Sequence, residues 1–178
     1  MQAGLDSREF KSVFRHHAAA VAVVTLIGPG GPVGFTATSI TSVSAEPPVV
    51  AFSVSAASSS WPALASTDTV MVNFLAGNQA GLAARFATSG IDRFAADDWF
   101  LLPTGEPALE DTRARVRARI LDRVPAGSSY ILTLLALGHS YPQPAAGPLL
   151  YLDGTYHQLS ETTAKAPTTG PSSMKGMT

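Results

Sequence analysis

Cysteine is absent from the 178-residue sequence. Its absence excludes disulfides, thiolate metal sites, iron–sulfur clusters and cysteine nucleophiles, and it is compatible with the reducing cytoplasm in which we expect the protein. The histidines, aspartates and glutamates show no metal-ligand spacing, so we expect no metal. Because no serine lies in a nucleophile elbow, serine hydrolysis has no support either.

Charged residues are scarce, at 14% of the chain against 46% hydrophobic residues, and the formal net charge is −1. This composition is typical of a compact globular protein. It has no basic stripe that would indicate nucleic-acid binding. The first residues lack a basic segment followed by an apolar run, and the longest apolar stretches are strand-length, so we expect no signal peptide and no membrane span. The low charge also hints at a surface covered by another subunit.

Hydroxyl groups are abundant between residues 34 and 61, which contain eleven serines and threonines and one charged residue, Glu46. Small hydroxyl side chains both donate and accept hydrogen bonds, and they let a backbone approach a ligand closely. The segment therefore favours a flat, neutral, hydrogen-bonding ligand with one phosphate. The alternative is a serine-rich turn between two strands, because these residues are common in loops.

Strand patterns outnumber helix patterns along the chain. Helices are predicted over residues 7–17, 60–66 and 79–87, and strands over 20–27, 33–38, 49–54, 70–75, 113–124, 128–139, 149–152 and 155–159. Residues 91–102 look irregular, and the alternating arginines of 113–124 predict one solvated strand face. The spacing predicts a mostly β fold, a closed antiparallel β-barrel with short helices.

No nucleotide-binding loop accompanies these strands. The segment Gly28-Pro29-Gly30-Gly31-Pro32 lacks the Gly-Lys-Ser/Thr of a phosphate loop, and no GxGxxG opens a helix. Both absences argue against a doubly wound dinucleotide-binding domain.

Six segments, taken in order, resemble the flavin reductase family, the small reductase components of two-component flavin monooxygenases. They are VAVVT (21–25), PVGFTATSITSVSAEPP (32–48), SSSWPAL (58–64), VNFLAGNQAGLAARFA (72–87), DRFAADDW (92–99) and PLLYLDGTYHQL (148–159). The resemblance implies an FMN-binding split barrel, antiparallel and Greek-key-like, over residues 1–160. It also implies a homodimer that binds FMN or FAD near the subunit interface and takes electrons from NADH or NADPH. The remaining residues, 161–178, are predicted to be a flexible Thr/Ser/Pro/Gly tail.

The resemblance also implies which residues hold the flavin. Those along the ring are Thr36, Ala37, Thr38, Ser39, Ser42, Val43 and Ser44, with Asn73, Ala76 and Gln79 flanking it. The ribityl chain and phosphate are assigned to Ser53, Ser58, Ser59, Ser60, Trp61, Arg85 and Phe86, with Arg85 as the counter-charge. A serine-rich helix start agrees with that assignment, because its free N–H groups suit a phosphate.

One departure from the family pattern concerns the second substrate. Family members carry Gly-Asp-His at the start of the long strand after the arginine-rich one, and the histidine lies by the nicotinamide. This sequence has Gly127, Ser128, Ser129 and Tyr130 there. The departure predicts weak dinucleotide binding with flavin affinity unaffected, unless Tyr130 or His157 serves as the nicotinamide platform.

The sequence therefore predicts an NAD(P)H-dependent flavin reductase that supplies reduced flavin to a partner monooxygenase. Hydride transfer requires no acid–base residue, so no catalytic residue is assigned. The alternative is a flavin-binding protein of the same fold with weak or no reductase activity, acting as a flavin carrier or electron-transfer protein.

Overall fold

The computed structural model describes residues 4–143 and 145–159. The predicted tail, 161–178, lies outside the described residues. The helices are α1 (Ser7–Arg15), α2 (Trp61–Ser66) and α3 (Ala80–Ala87). The strands are β1 (Ala19–Ala20), β2 (Ala22–Gly28), β3 (Gly31–Ala37), β4 (Thr41–Ala45), β5 (Pro48–Ser55), β6 (Thr69–Phe74), β7 (Trp99–Leu101), β8 (Pro107–Leu109), β9 (Ala114–Ala126), β10 (Ser129–Ser140), β11 (Leu149–Leu152) and β12 (Thr155–Gln158).

Seven of these strands form one antiparallel sheet in the order β3-β2-β6-β9-β10-β5-β4. A smaller sheet has the order β1-β11-β12, and β7 pairs with β8 alone. The mostly β, antiparallel prediction is confirmed. The prediction of a closed barrel needs correction, because β3 and β4 remain edge strands and the large sheet is open.

The large sheet curls so that β3 approaches β5, which is why it encloses a core without closing. The rings of Phe35 and Phe52 lie 5.9 Å apart, and both side chains are buried. Leu64 of α2 and Leu132 and Leu134 of β10 fill the same core and are fully buried. Each such side chain contributes about 1.5–3 kcal/mol through burial of apolar surface.

A second core lies where α3 packs on β2 and β3. Phe86 is its largest fully buried side chain, and Leu75, Leu109 and Leu149 surround it. Glycine is required at position 34, because a Cβ there would lie 2.6 Å from the Phe86 ring. This close approach holds α3 against β3, beside the hydroxyl-rich segment.

The segment predicted to be irregular contains the hairpin of β7 and β8, with Trp99 opposite Leu109. Its three-residue strands are too short to show a recognisable alternation of apolar and polar residues. Strand β4 was missed as well, because its sequence TSVSA resembles a polar loop. Elsewhere the predicted strands and helices were found with ends shifted by about one or two residues, the usual uncertainty at such ends.

The segment around the β7–β8 hairpin covers the first arginines of β9, so the prediction of a solvated face is wrong for that part of the strand. Arg115 is only 9% exposed, and its guanidinium lies 5.0 Å from the centre of the Phe100 ring. Arg117 donates to the carboxylate of Glu106 at 2.8 Å, and Glu106 is 3% exposed. Burial alone would raise the pKa of Glu106, but hydrogen bonds from Arg117, Thr104 and Thr69 lower it to about 2. The first part of this face is therefore a partly buried ion-pair layer, whereas Arg119 is exposed.

None of the described helices has the length and apolar character needed to cross a lipid bilayer.

Candidate functional site

Two neighbouring cavities meet at the hydroxyl-rich segment. The serine cavity, about 430 Å³, lies between β3, β5 and the segments after β5 and α3. The α1 groove, about 780 Å³, lies between α1, the β11–β12 turn and the end of β3. Thr38, Ser39 and Ser53 line both. Both volumes fall in the range of about 300–1,000 Å³ that is usual for small-molecule sites.

Hydroxyl side chains and turns shape the serine cavity at its β5 end. Ser58 and Ser59 line it, and the Oγ of Ser58 accepts a hydrogen bond from the N–H of Ser60 at 3.3 Å. The Oγ of Ser55 accepts one from the N–H of Ala57 at 3.2 Å. These bonds fold the chain after β5 into a compact turn that ends at α2. The result is a concave, uncharged wall with hydroxyls and backbone amides near its surface.

Arg93 supplies the positive charge of this cavity. Its Nη1 donates to the carbonyl oxygen of Gly34 at 2.7 Å, and its Nε donates to that of Thr88 at 2.9 Å. Burial lowers the pKa of Arg93, but an arginine stays protonated in proteins. A guanidinium held in this way beside serine hydroxyls suits a phosphate group. Arg93 belongs to the segment DRFAADDW (92–99), which resembles the family, but the sequence prediction did not include Arg93 among the residues that hold the flavin.

Arg85, which was predicted to neutralise the phosphate, contacts a carboxylate instead. Its Nη2 donates to both oxygens of Asp98, at 2.7 and 2.6 Å. Arg85 is not among the residues that line the serine cavity, whereas its neighbour Phe86 is. Arg93, rather than Arg85, therefore offers its guanidinium to the serine cavity.

The residues predicted along the ring fall into two groups. Thr36, Ala37, Thr38 and Ser39 line the serine cavity together with Ser53. The Oγ1 of Thr36 donates to the carbonyl oxygen of Ala83 at 2.6 Å, so this hydroxyl fixes α3. Ser42, Val43 and Ser44 lie on the edge strand β4 and line neither cavity, and the side chain of Val43 is 58% exposed.

Asn73, Ala76 and Gln79, which were predicted to flank the ring, lie outside the serine cavity. Asn73 is fully buried, donates to the carbonyl oxygen of Val23 at 3.0 Å and accepts from the N–H of Leu109 at 3.1 Å. Gln79 accepts from the N–H of Ala76 at 2.9 Å and donates to the carbonyl oxygen of Glu110 at 3.0 Å. These polar side chains join the sheet to the segment around β8.

Of the predicted phosphate residues at the start of α2, Ser60 and Trp61 are turned into the protein. Ser60 is 1% exposed, and its side chain makes no capping bond to α2. The Trp61 ring stacks on Tyr130 at 3.7 Å, with 11° between the ring planes. Neither residue is among those that line the serine cavity, although Ser60 lines a smaller neighbouring cavity together with Arg93.

The nicotinamide was predicted to lie at the β9–β10 hairpin or at His157. The hairpin belongs to the large sheet, whereas His157 lies on β12 of the smaller sheet. Gly127 forms the hairpin tip with a φ of 61°, and the carbonyl oxygen of Ser128 accepts from the N–H of Ala56 at 3.0 Å. Ser129 lies opposite Ser55, which lines the serine cavity. His157 lies on β12 opposite Leu150 and lines neither cavity.

Helix α1 forms one wall of the α1 groove, and the sequence prediction assigned it no role. Phe10 and Phe14 face the groove with ring centroids 4.7 Å apart, and they are 52% and 57% exposed. Asp6 begins the helix with a capping box, accepting from the N–H groups of Arg8 and Glu9 at 2.7 and 2.8 Å.

The other end of α1 is tied to the β11–β12 turn. The N–H of Asp153 donates to the carbonyl oxygen of Arg15 at 3.0 Å, and the Asp153 carboxylate lies 2.6 Å from Nδ1 of His16. The helix is therefore capped at its start and tied to the β11–β12 turn at its end, although none of its residues is buried.

Within residues 4–143 and 145–159, no group of three or more His, Asp or Glu side chains could hold a metal ion. The chemistry of both cavities is therefore that of hydroxyls, backbone amides, aromatic rings and arginines.

Comparison with protein-family models matches residues 14–160 to the flavin reductase like domain. An NADH:FMN oxidoreductase of Rhodococcus qingshengii is 39% identical over 162 residues, which cover 89% of this chain and 84% of the relative.

Two solved structures are similar over most of their length. One is a homologue of nitrilotriacetate monooxygenase component B from Mycobacterium thermoresistibile, with a TM-score of 0.84, 27% identity, and 97% and 96% of the two chains covered. The other is an NADH:FAD oxidoreductase of Streptomyces globisporus C-1027 in complex with NAD and FAD fragments, with a TM-score of 0.83 and 28% identity. That comparison covers 91% of this chain and all of the other.

Proposed function

The chain belongs to the flavin reductase like domain family, and we propose that it catalyses the reduction of FMN by NADH. The observation that carries this proposal is the serine cavity, in which hydroxyl groups and the Arg93 guanidinium surround a space of about 430 Å³. The relative named NADH:FMN oxidoreductase supports FMN and NADH as the pair of substrates.

In this reaction, NADH, a proton and FMN become NAD⁺ and reduced FMN. A hydride leaves nicotinamide C4 for flavin N5, and the additional proton comes from water. The flavin and nicotinamide carry the chemistry, so the protein has to hold the two rings in contact and neutralise charge. No described side chain needs to exchange a proton for this step.

The phosphate of FMN would lie at the end of the serine cavity formed by Ser58, Ser59 and Arg93. Two features support this orientation. Arg93 is already aligned by Gly34 and Thr88, so little side-chain entropy is lost on binding. The opposite end, at Thr38 and Ser39, opens toward the α1 groove and is left for the isoalloxazine ring.

Reduced flavin would be released to a separate monooxygenase. The solved homologue named as a monooxygenase component B supports that role. The open serine cavity is consistent with flavin as a substrate that leaves. A flavin carrier with weak reductase activity is the second candidate, because Ser128 and Ser129 replace the acid and the histidine of the family pattern.

We also propose a homodimer. Val124, Ile131 and Ser53 lie side by side on β9, β10 and β5, and Val124 and Ile131 are 50% and 41% exposed. A second copy on this apolar row would lie next to Ser53 and hence beside both cavities.

The open sheet, bridged by Ser39, supports the split-barrel fold, and the family match to residues 14–160 supports one domain over 1–160. The absence of cysteine supports the cytoplasm as its location.

The test is anaerobic mixing of the FMN-loaded protein with NADH, followed at the visible flavin absorbance band. Bleaching of that band with formation of NAD⁺ is the expected result. A protein that stays yellow with NADH and NADPH, but is bleached by dithionite, would instead be a flavin carrier.

A further inference from the structure

We propose that Arg123 is a positioning residue for the phosphate of the flavin. It lines neither cavity. It holds the C-terminal end of α2 and thereby fixes the turn at Ser58 and Ser59, which forms one end of the serine cavity. This inference rests on the proposed function and adds a reason for the protein to distinguish FMN from riboflavin.

The guanidinium of Arg123 bonds two carbonyl oxygens at the end of α2. Its Nε donates to the carbonyl oxygen of Leu64 at 2.8 Å, and its Nη2 donates to that of Thr67, the C-cap residue. The last carbonyls of a helix lack partners within the helix and form its negative dipole end, so they suit a cation with two donors. Arg123 therefore caps α2 from strand β9, 59 residues beyond Leu64 in the sequence.

Helix α2 depends on such outside contacts for its position. It has six residues, whereas an isolated helix needs about 12–15 to be even marginally stable. Ser60, at its N-cap, makes no capping bond with its side chain. The helix is held instead by Leu64 in the core, by the stack of Trp61 on Tyr130, and by Arg123. Removing the Arg123 guanidinium therefore releases the end of a helix that cannot hold its place alone.

The start of α2 carries the turn that lines the serine cavity. The N–H of Trp61 donates to the carbonyl oxygen of Ser58 at 3.0 Å, so the turn and the helix are one hydrogen-bonded unit. A helix of six residues is only about 9 Å long. A displacement at the Arg123 end therefore also displaces Ser58 and Ser59 at the other end.

The β9–β10 hairpin holds both ends of this unit. At the start, Tyr130 stacks on Trp61, and the carbonyl oxygen of Ser128 accepts from the N–H of Ala56 at 3.0 Å. At the end, Arg123 of the same hairpin bonds the last carbonyls of α2. The hairpin therefore fixes this wall before a ligand arrives, so a phosphate binds there without the cost of ordering it.

The test compares Arg123→Met with Arg119→Met. Methionine keeps an unbranched apolar stem and removes the charge and the donors. Arg119 is an exposed arginine of the same strand, so both variants lose one positive charge. Arg123→Lys is a second variant, which keeps the charge but not the forked pair of donors. The quantities measured are the dissociation constants of FMN and riboflavin, KM and kcat for FMN with NADH, and the urea midpoint.

Arg123→Met should weaken FMN binding by about fivefold, which corresponds to the net value of one hydrogen bond, and should leave riboflavin binding within about twofold of wild type. KM for FMN should rise with kcat unchanged, because the phosphate lies away from the reacting ring. Arg123→Lys should show a smaller loss that is again confined to FMN. Arg119→Met should bind both flavins like wild type.

A double-variant cycle tests whether Arg123 acts through the turn. Ser58→Ala removes the hydroxyl that accepts from the N–H of Ser60, so it should also weaken FMN binding. Because both changes act on the same wall, Ser58→Ala combined with Arg123→Met should bind FMN scarcely more weakly than the weaker single variant.

Unchanged FMN affinity in both Arg123 variants would overturn the proposal. Equal losses for FMN and riboflavin would also overturn it, because they would indicate general loosening of the fold, and so would losses that simply multiply in the double variant. A wild type that binds FMN but does not oxidise NADH would contradict the proposed function instead. In that case the flavin titrations would still decide the role of Arg123.

Discussion

The side chain of Ser39 bonds both backbone groups of Ser53. Its Oγ accepts from the Ser53 N–H at 3.0 Å and donates to the Ser53 carbonyl oxygen at 3.1 Å. One hydroxyl therefore joins the segment between β3 and β4 to β5, two residues beyond the pairing of Thr41 with Ala51. The same two residues form part of the wall between the serine cavity and the α1 groove. This link therefore lies at the meeting point of the two cavities.

Removing the Ser39 hydroxyl should loosen this junction. Ser39→Ala should lower the free energy of unfolding by about 1 kcal/mol, the usual net value of a hydrogen bond, and should weaken FMN binding as well. Ser44→Ala is the control, because among the described residues the Ser44 hydroxyl bonds only the nearby N–H of Glu46, and Ser44 lines neither cavity. Urea unfolding and FMN fluorescence titration measure the two effects. Equal behaviour of the two variants would contradict a role for the Ser39–Ser53 link.

Arg93 and Arg85 should differ in their effect on FMN. Arg93→Ala should weaken FMN binding by about 1.5–3 kcal/mol, the range for hydrogen bonds to a charged group, and should leave riboflavin binding nearly unchanged because riboflavin lacks the phosphate. Arg93→Lys keeps the charge and should recover part of the affinity. Arg85→Ala should chiefly lower stability, since it leaves Asp98 without its arginine.

Flavin fluorescence titrations and urea unfolding on the same samples separate binding from stability. A selective loss of FMN affinity in Arg85→Ala alone would restore the sequence-based assignment of the phosphate to Arg85.

His157 should have no part in dinucleotide binding, because it lies on β12 opposite Leu150 and away from both cavities. His157→Ala should therefore leave KM for NADH within about twofold of wild type, the same insensitivity expected of an exposed surface substitution. Ser128→Asp combined with Ser129→His should instead lower KM for NADH, because it restores the acid and the histidine of the family pattern. Steady-state kinetics measure both, and a large fall in KM for the double variant would place the nicotinamide at the hairpin.

Glu106 should make stability depend on pH. Its pKa is about 2 in the folded protein and about 4.5 when unperturbed, so the unfolded chain binds the proton more tightly. The resulting stabilisation, about 3 kcal/mol for a difference of this size, is fully present above pH 4.5 or so and is lost as the pH falls toward 2. Glu106→Gln should remove it, flattening the acid side of the stability profile.

The control for that experiment is Glu46→Gln, because Glu46 is an exposed carboxylate outside the ion-pair layer. Urea midpoints between pH 2 and pH 7 measure the profile. A Glu106→Gln profile that is as steep as wild type would show that other carboxylates dominate acid unfolding.

Ile131→Asp should dissociate the proposed homodimer, because it places a charge in the middle of the exposed apolar row. Ile27→Asp is a matched control, since both side chains are 41% exposed and Ile27 lies near the β2–β3 turn. Light scattering on dilute protein should give one chain mass for Ile131→Asp and two for wild type and Ile27→Asp. A monomeric wild type that binds FMN would refute the homodimer.

Much of the fold was predictable from local pattern alone. The continuous apolar run of β2 and the alternation in β10, where Leu132 and Leu134 are buried and Ile131 is exposed, directly encode which face enters the core. The turn residues and the serine-rich segment likewise located the wall of the serine cavity. These features depend on neighbours in sequence, which is why the sequence determined them.

Tertiary structure alone decides which polar side chains line the serine cavity. The sequence prediction named Arg85 for the phosphate, but in the structure Asp98 binds Arg85, and the carbonyls of Gly34 and Thr88 orient Arg93. Asn73 lies in a segment that was predicted to contact the flavin, but its side chain hydrogen-bonds the backbone of Val23 and Leu109, which are distant in the sequence. These hydrogen bonds depend on residues that are far apart in the sequence and that come together only when the sheet curls. For the same physical reason, the sequence pattern could not show that α1 would border the serine-rich wall.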